Sequence, residues 1–169
     1  MQNARDTFYV TLRDRLAALN PARMMVLRGV TRPGVLVEEN ELASAAAPVN
    51  VFCLSWTGLS VDAKAALPLV TMVCEIRYAT DGNAGSGGMD RGRLLAAMDG
   101  ELVAAVSGGP QNTVKMNYSA AAGAGAAPAA MATNVFWGDV VFGATVVDGE
   151  RLERVATVEV FSYQEAGEL

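Results

Sequence analysis

A run of strict alternation near the middle of the chain constrains its fold more than any other feature. Between Leu69 and Ala79 the apolar residues Val70, Met72, Cys74, Ile76 and Tyr78 alternate with Thr71, Val73, Glu75 and Arg77. Successive side chains of a β-strand point to opposite faces of its sheet, so the run predicts a long strand with one buried face. The other face is expected to be partly wet, and the buried face needs a covering layer.

Two segments have the periodicity of amphipathic helices and can supply that layer. The first runs from Asn3 to Leu19, and the second from about Arg91 to Ser107. Proline disfavours helical geometry in the residue before it, so Asn20-Pro21 ends the first helix, and Asp90 is a suitable N-cap for the second. Gly100 costs the second helix roughly 1 kcal/mol relative to alanine, which favours a close packing contact there. The apolar sides consist of Phe8, Leu12, Leu16 and Leu19, and of Leu95, Met98, Leu102 and Val106.

Further strands are predicted on both sides of the second helix. A hairpin over Arg23–Glu39 is expected to turn at Thr31–Gly34, where Pro-Gly suits a type II turn. Asp148-Gly149 between apolar runs is a strong signal for a second, closing hairpin. The other expectations are a strand over Val49–Thr57, a loop over Gly58–Leu67, a short strand over Thr113–Tyr118, and the closing hairpin over Val140–Val147 and Leu152–Tyr163.

Helices and strands do not alternate regularly along the chain, which favours an antiparallel or mixed sheet over a parallel one. The predicted fold class is therefore α+β, with a mixed, mostly antiparallel sheet of about five to seven strands and two helices packed on one face. The length of 169 residues suits a single domain spanning residues 1–169. An Ala/Gly-rich segment at about 119–133 has little to bury and is predicted to be a flexible loop.

Charge and hydropathy argue against two classes of partner. The formal net charge is −5, whereas a protein that binds nucleic acid needs clustered Lys and Arg, so no sequence-specific nucleic acid is expected. The longest uncharged run of small residues, Ser119–Asn134, is too weakly apolar and too broken to cross a bilayer, so no membrane association is expected. The N-terminus carries polar and acidic residues where a signal peptide has an apolar core.

Residues suited to catalysis or metal binding are scarce. The chain has no histidine, which removes the commonest general acid or base and the commonest metal ligand. Cys53 and Cys74 lie in strand-like runs and are expected to be buried free thiols. The glycine-rich loop at Asp81–Gly88 lacks the Lys and Ser or Thr of a phosphate-binding loop. We therefore expect no enzyme activity, no cofactor and no metal site.

An aromatic pair indicates a partner surface. Phe136 and Trp137 are adjacent, so on a strand one is buried and the other faces an interface or a second layer. Trp56 alternates with Phe52 and Leu54 and is expected in the core.

The order of elements resembles that of tail terminator, or tail-completion, proteins of long-tailed bacteriophages and related contractile systems. The resemblance lies in the helix Asp6–Leu19 leading into Arg23–Val30, in Val70–Tyr78 with its glycine-rich loop and the helix Asp90–Val106, and in the last strand, Arg154–Tyr163. The resemblance extends over most of the chain. It consists in the order of the elements and not in a signature motif. The family carries no invariant catalytic or ligand residues, so the resemblance implies a role and no site of that kind.

That implied role is a virion structural protein of the tail, assembled in the bacterial host cytoplasm. Such a protein forms a homo-oligomeric ring, usually hexameric, that caps the tail tube, stops its polymerisation and presents a surface for joining the head or neck. Its partners would be other copies of itself, the tail tube, and neck or connector proteins. The Arg13/Arg15 and Arg91/Arg93 doublets are suited to pair with Glu38, Glu39 and Glu41 of a neighbouring subunit. The candidate interface residues are thus Arg13, Arg15, Glu38, Glu39, Arg91, Arg93, Phe136 and Trp137.

Three alternatives stay open at this point. The chain could be another tail or neck component, such as a tube subunit or a head–tail connector. It could be a cellular domain that binds a small ligand or a protein. It could also be an enzyme that uses a carboxylate pair drawn from Glu75, Asp90, Asp99 and Asp139.

Overall fold

The computed structural model describes residues 1–38, 48–64, 66–82, 87, 89–119 and 127–168. Within these residues the chain forms two helices and ten strands. The helices are α1 (Gln2–Leu19) and α2 (Asp90–Ser107). The strands are β1 (Met24–Leu27), β2 (Val30–Pro33), β3 (Val35–Val37), β4 (Phe52–Asp62), β5 (Leu69–Asp81), β6 (Asn112–Asn117), β7 (Ala129–Trp137), β8 (Val141–Phe142), β9 (Val146–Asp148) and β10 (Arg151–Tyr163).

Eight of these strands form one main sheet, and β1 and β2 form a separate hairpin. The strand order of the main sheet is β3-β4-β5-β10-β7-β6, with the short strands β8 and β9 also paired to β10. Only β3 and β4 run parallel, and the other pairs are antiparallel. The centre of the sheet is the 13-residue pairing of β5 with β10, which brings the alternating run identified in the sequence against the last strand.

Both helices lie on the same face of the main sheet. Phe8 of α1 packs edge-on against Trp137, with 5.6 Å between ring centroids, and Met98 of α2 lies in the same core as Met72 and Ile76. This core takes residues from Ala4 to Val160. The fold is therefore α+β with a mixed, mostly antiparallel sheet and two helices on one face, as the sequence predicts. Three of the eight strands are short: β8 has two residues, and β3 and β9 have three each.

The first hairpin turns at a different place from the one that the sequence indicates. The turn lies at Arg28-Gly29, both of which have positive φ, and not at Thr31–Gly34. Pro33 ends β2, and the chain continues after Gly34 into β3 of the main sheet. The single hairpin expected over Arg23–Glu39 is thus a hairpin of β1 and β2 followed by a strand of another sheet.

Four further expectations need correction. β4 continues to Asp62, through part of the predicted loop at Gly58–Leu67. The residues from Ala129 to Thr133 are strand rather than loop because they extend β7 against β6, and residues 120–126 lie outside the described part. Asp90 is the first residue of α2 and not its cap. No atom lies within 4 Å of a Cβ placed on Gly100, so the close contact expected there is absent from the described structure.

Candidate functional site

The main sheet presents a second face, opposite the helices, that we call the open face. Strand register places its residues on one side: Val73, Glu75 and Arg77 of β5, Thr157, Glu159 and Phe161 of β10, Phe136 of β7 and Val141 of β8. Among the described elements, only the β1–β2 hairpin reaches this side, where Met25 and Leu27 pack on the small cluster of Leu36, Val51 and Cys53. The rest of the open face therefore carries charged, polar and apolar side chains that no other described element covers.

Glu159 occupies an unusual place on the open face. It is exposed, and neither a hydrogen bond nor an ion pair joins its side chain to any other described residue. Its direct neighbour across the strand pair is Val73. Two residues away along β10 lie Phe161, which pairs with Phe136, and Thr157, which pairs with Val141.

The apolar neighbours of Glu159 are themselves partly in water. Phe136 is 39% exposed and Val141 is 65% exposed. The arrangement is an exposed carboxylate flanked by two exposed apolar side chains, Phe136 and Val141. Exposed apolar side chains gathered on one face are a feature of protein interaction sites.

The β1–β2 hairpin is the second unusual surface. Met24, Val26 and Val30 are exposed, the last two by 67% and 62%, although all three are apolar. The segment 23–34 contains three arginines and no acidic residue, so the rest of the chain holds ten basic and eighteen acidic residues, a net charge of −8. The hairpin is thus a basic, apolar element on an acidic protein.

Two of the three hairpin arginines are fixed within the chain. Arg23 forms a bidentate pair with Glu101 of α2, with N–O distances of 2.8 and 2.9 Å, and these hydrogen bonds hold the pKa of Glu101 below its usual value against the opposing effect of its burial. Arg32 donates to the Tyr9 hydroxyl of α1. Arg28, at the tip, is exposed and has no hydrogen bond or ion pair with another described residue.

Several interface candidates from the sequence have partners inside the chain. Arg13 pairs with Asp14 at 2.8 Å, and Arg15 joins the two helices by donating to the carbonyls of Ala105 and Pro110. Glu38 lies 3.7 Å from Arg77 of the same chain. The intersubunit pairing expected of these groups competes with these internal contacts.

The remaining candidates divide between exposed and buried positions. Phe136 faces the open side, whereas Trp137 is buried and donates its indole N–H to the Val106 carbonyl, so Trp137 is not available as an interface residue. Arg91 donates to the Gly149 carbonyl, and Arg93 is exposed on α2. Glu39 and Glu41 lie outside the described residues.

The carboxylates considered for catalysis are not brought together as a pair. Asp99 accepts hydrogen bonds from Tyr78 and Arg154, which fastens α2 to β5 and β10. Burial, together with this hydrogen bond and the charge of Asp99, raises the pKa of Tyr78. Asp139 accepts instead from Ser107 and Gln111, and Glu75 lies on the open face, across the sheet from α2.

The thiols are free and buried, as the sequence indicates. Cys53 and Cys74 do not form a disulfide. Burial raises the pKa of the Cys53 thiol to about 12, so it is protonated at neutral pH. Among the described residues no group of three or more His, Cys, Asp and Glu side chains is placed to hold a metal ion.

A buried lysine is a feature that sequence reasoning missed. Lys115 of β6 is fully buried, and its ammonium donates at 2.6 Å to both the Tyr163 carbonyl and the Glu168 carboxylate. Its apolar neighbour Val114 is 45% exposed, so here the charged residue lies inside and the apolar one outside. An irregularity in the β6–β7 pairing between Val114 and Met116 accompanies this inversion.

Comparison with known proteins gives information about the fold only. No known protein family and no curated protein matches the chain. One solved structure, whose name states no activity, is similar over 99% of both chains, with a TM-score of 0.52 and 15% sequence identity. At this identity the similarity establishes a shared α+β fold and carries no function. Within the described residues, neither helix has the length and apolar character needed to cross a membrane.

Proposed function

We propose that this chain is a virion structural protein of a phage-like tail: a tail terminator that assembles into a ring, usually hexameric for such proteins, on the end of the tail tube. There it stops polymerisation of the tube and presents a surface for the head or neck. Its partners are other copies of itself, the tube, and neck or connector proteins. It acts by complementary packing and needs neither a cofactor nor a catalytic residue.

The observation that carries the proposal is the open face with its exposed apolar groups. A monomeric α+β domain of this size covers its sheet or lines the outer face with polar side chains, whereas here Phe136 and Val141 are exposed around Glu159. Together with the exposed apolar residues of the β1–β2 hairpin, these side chains support a protein that acts by binding other proteins. The order of helix, sheet and second helix on one face is also similar to the layout of tail terminators.

Deletion of the gene in the phage or injection system that encodes it tests the proposal. We expect tails of irregular and excessive length, because nothing stops the tube from growing, and complementation with the wild-type gene should restore a uniform length. Electron microscopy of the particles measures the length distribution. Tails of normal length would refute the terminator role, and complete loss of tails would favour a tube subunit instead.

A further inference from the structure

We infer that the tip of the β1–β2 hairpin of one copy binds the open face of a second copy, with Arg28 paired to Glu159. The inference rests on the proposed ring and names the contact that builds it. Met24 and Val26, which share the hairpin face turned away from the main sheet, pack against Phe136 and Val141 in this contact.

Charge complementarity supports a second copy as the occupant. The hairpin segment 23–34 carries only positive charge, while the rest of the chain has a net charge of −8. Arg28 and Glu159 are both exposed, and neither is joined to another described residue by an ion pair. Potentials of opposite sign on two surfaces of one chain favour the encounter of two copies and fix their register.

The apolar parts of the two surfaces also match. At the hairpin tip, Arg28 lies two residues from Val26, which shares with Met24 an apolar hairpin face that is exposed. On the open face, Glu159 lies between the exposed pairs that contain Phe136 and Val141. In both surfaces a charge stands among apolar side chains, so one contact removes apolar area from water while each charge acquires a partner.

The two surfaces lie in different parts of the fold, which has a consequence for symmetry. The hairpin packs on the cluster of Leu36, Val51 and Cys53, beside edge strand β3. Glu159 lies on β10, which is three strands away from β3 in the sheet. A contact between unlike surfaces is heterologous, and repeating it head to tail closes a ring when the rotation permits. Two copies that exchange hairpins reciprocally would instead form a dimer.

Charge reversal in the full chain tests the contact. Arg28→Glu and Glu159→Arg are each expected to weaken self-association by at least about tenfold, and the double variant R28E/E159R is expected to recover most of the loss. Sedimentation velocity and native mass spectrometry over a range of concentrations measure the association. Lys64→Glu is the matched control, since Lys64 is exposed in the β4–β5 connection and the charge change is the same. Circular dichroism and thermal unfolding check that each variant is folded.

The outcomes separate the contact from the ring. A wild-type ring that R28E leaves intact, or a double variant that does not recover, overturns the contact while the ring survives. A wild-type dimer that obeys the charge reversal keeps the contact and overturns the ring. A wild-type protein that stays monomeric at every concentration overturns both.

Discussion

Arg28 has a backbone conformation that its side chain does not favour. Its φ is 51° and that of Gly29 is 80°, which places both residues of this two-residue turn in the left-handed region. Such turns favour Asn-Gly, because asparagine tolerates positive φ better than other residues with a side chain. An arginine here therefore lowers stability, and in the inferred contact it is retained for what it binds.

Replacing Arg28 separates these two effects. We expect Arg28→Asn to raise the free energy of unfolding by about 0.5–1 kcal/mol, because the turn conformation suits asparagine, while self-association weakens. Urea denaturation of the dissociated protein measures the first effect and sedimentation the second. A variant that is no more stable than the wild type would mean that the turn is not strained.

Gly100 offers a stability test that does not involve any interface. It lies exposed within α2, with no atom within 4 Å of an added Cβ, so Gly100→Ala should stabilise the protein by about 1 kcal/mol through helix propensity. Gly58→Ala is the contrasting variant, since its Cβ would lie 2.9 Å from Cγ2 of Val73 and should destabilise. Urea midpoints of the two variants should move in opposite directions.

Residue-level patterns predict the regular strands well and fail where pairing is irregular. The alternation of Val70 to Tyr78 gives the buried face of β5 correctly, because the 13-residue register with β10 is unbroken. An alternating pattern gives no such guide at Lys115, which is buried beside the exposed Val114 where the β6–β7 register shifts. The sequence carries one signal of the hairpin surface, which is that segment 23–34 contains basic residues and no acidic ones.

At the scale of elements, the buried ammonium of Lys115 holds the segment after β10 in place. It bonds to the Glu168 carboxylate, which also accepts the Glu165 backbone N–H at 2.8 Å. Burial raises the pKa of Glu168, but these two donors outweigh that effect and lower the pKa below its ordinary value of 4.5. Because the pKa of Glu168 is lower in the folded state, its ionisation stabilises the fold fully when the pH is above the ordinary pKa of the group. This stabilisation is lost as the pH falls through the folded-state pKa.

Glu168→Gln tests this link between pH and stability. At pH 7 the free energy of unfolding of the variant should be about 2 kcal/mol lower than that of the wild type, because Lys115 loses its nearer charged partner and keeps only Glu165, 3.9 Å away. The difference should shrink as the pH is lowered below 4.5, where wild-type Glu168 becomes protonated as well. Asp14→Asn, at an exposed ion pair, should show almost no such difference. Chemical denaturation across this pH range gives the comparison, and a gap that stays constant would contradict the assignment.

The element boundaries show where local signals lose to tertiary structure. Pro33-Gly34 has residue types that favour a turn, but the residues after Gly34 pair with the main sheet as β3. The hairpin turn therefore lies at Arg28-Gly29, where the sequence has no strong turn signal. Ala129 to Thr133 has little strand propensity of its own, but pairing with β6 makes it a strand. The helices, whose apolar sides are regular, were predicted to within a residue or two.

For the whole molecule, the layer arrangement could be predicted and the assembly surfaces could not. A single sequence indicates that one sheet face is buried under two helices, because the alternation along β5 and the apolar stripes of α1 and α2 each give one apolar side. It does not show which charges of the other face lack partners, since that depends on how β5, β7, β8 and β10 are placed side by side.

Salt should act on the assembly through Arg28 and Glu159. Raising NaCl from low to roughly 0.5 M is expected to weaken wild-type self-association by about tenfold, because ions screen charges at a partly solvated interface. The neutral pair R28Q/E159Q should show a clearly smaller dependence on salt. Sedimentation at several salt concentrations provides the measurement, and equal dependence in both proteins would argue against an ionic contact.

Cys53 gives the protein a chemical reporter of its own. The thiol is buried beneath Met25 and Leu27, so we expect an alkylating reagent to reach it more readily when the hairpin lifts away from the sheet. The rate of labelling should therefore increase with the frequency at which the hairpin detaches from the sheet. A second copy bound to the hairpin tip should slow the reaction without contacting the sulfur.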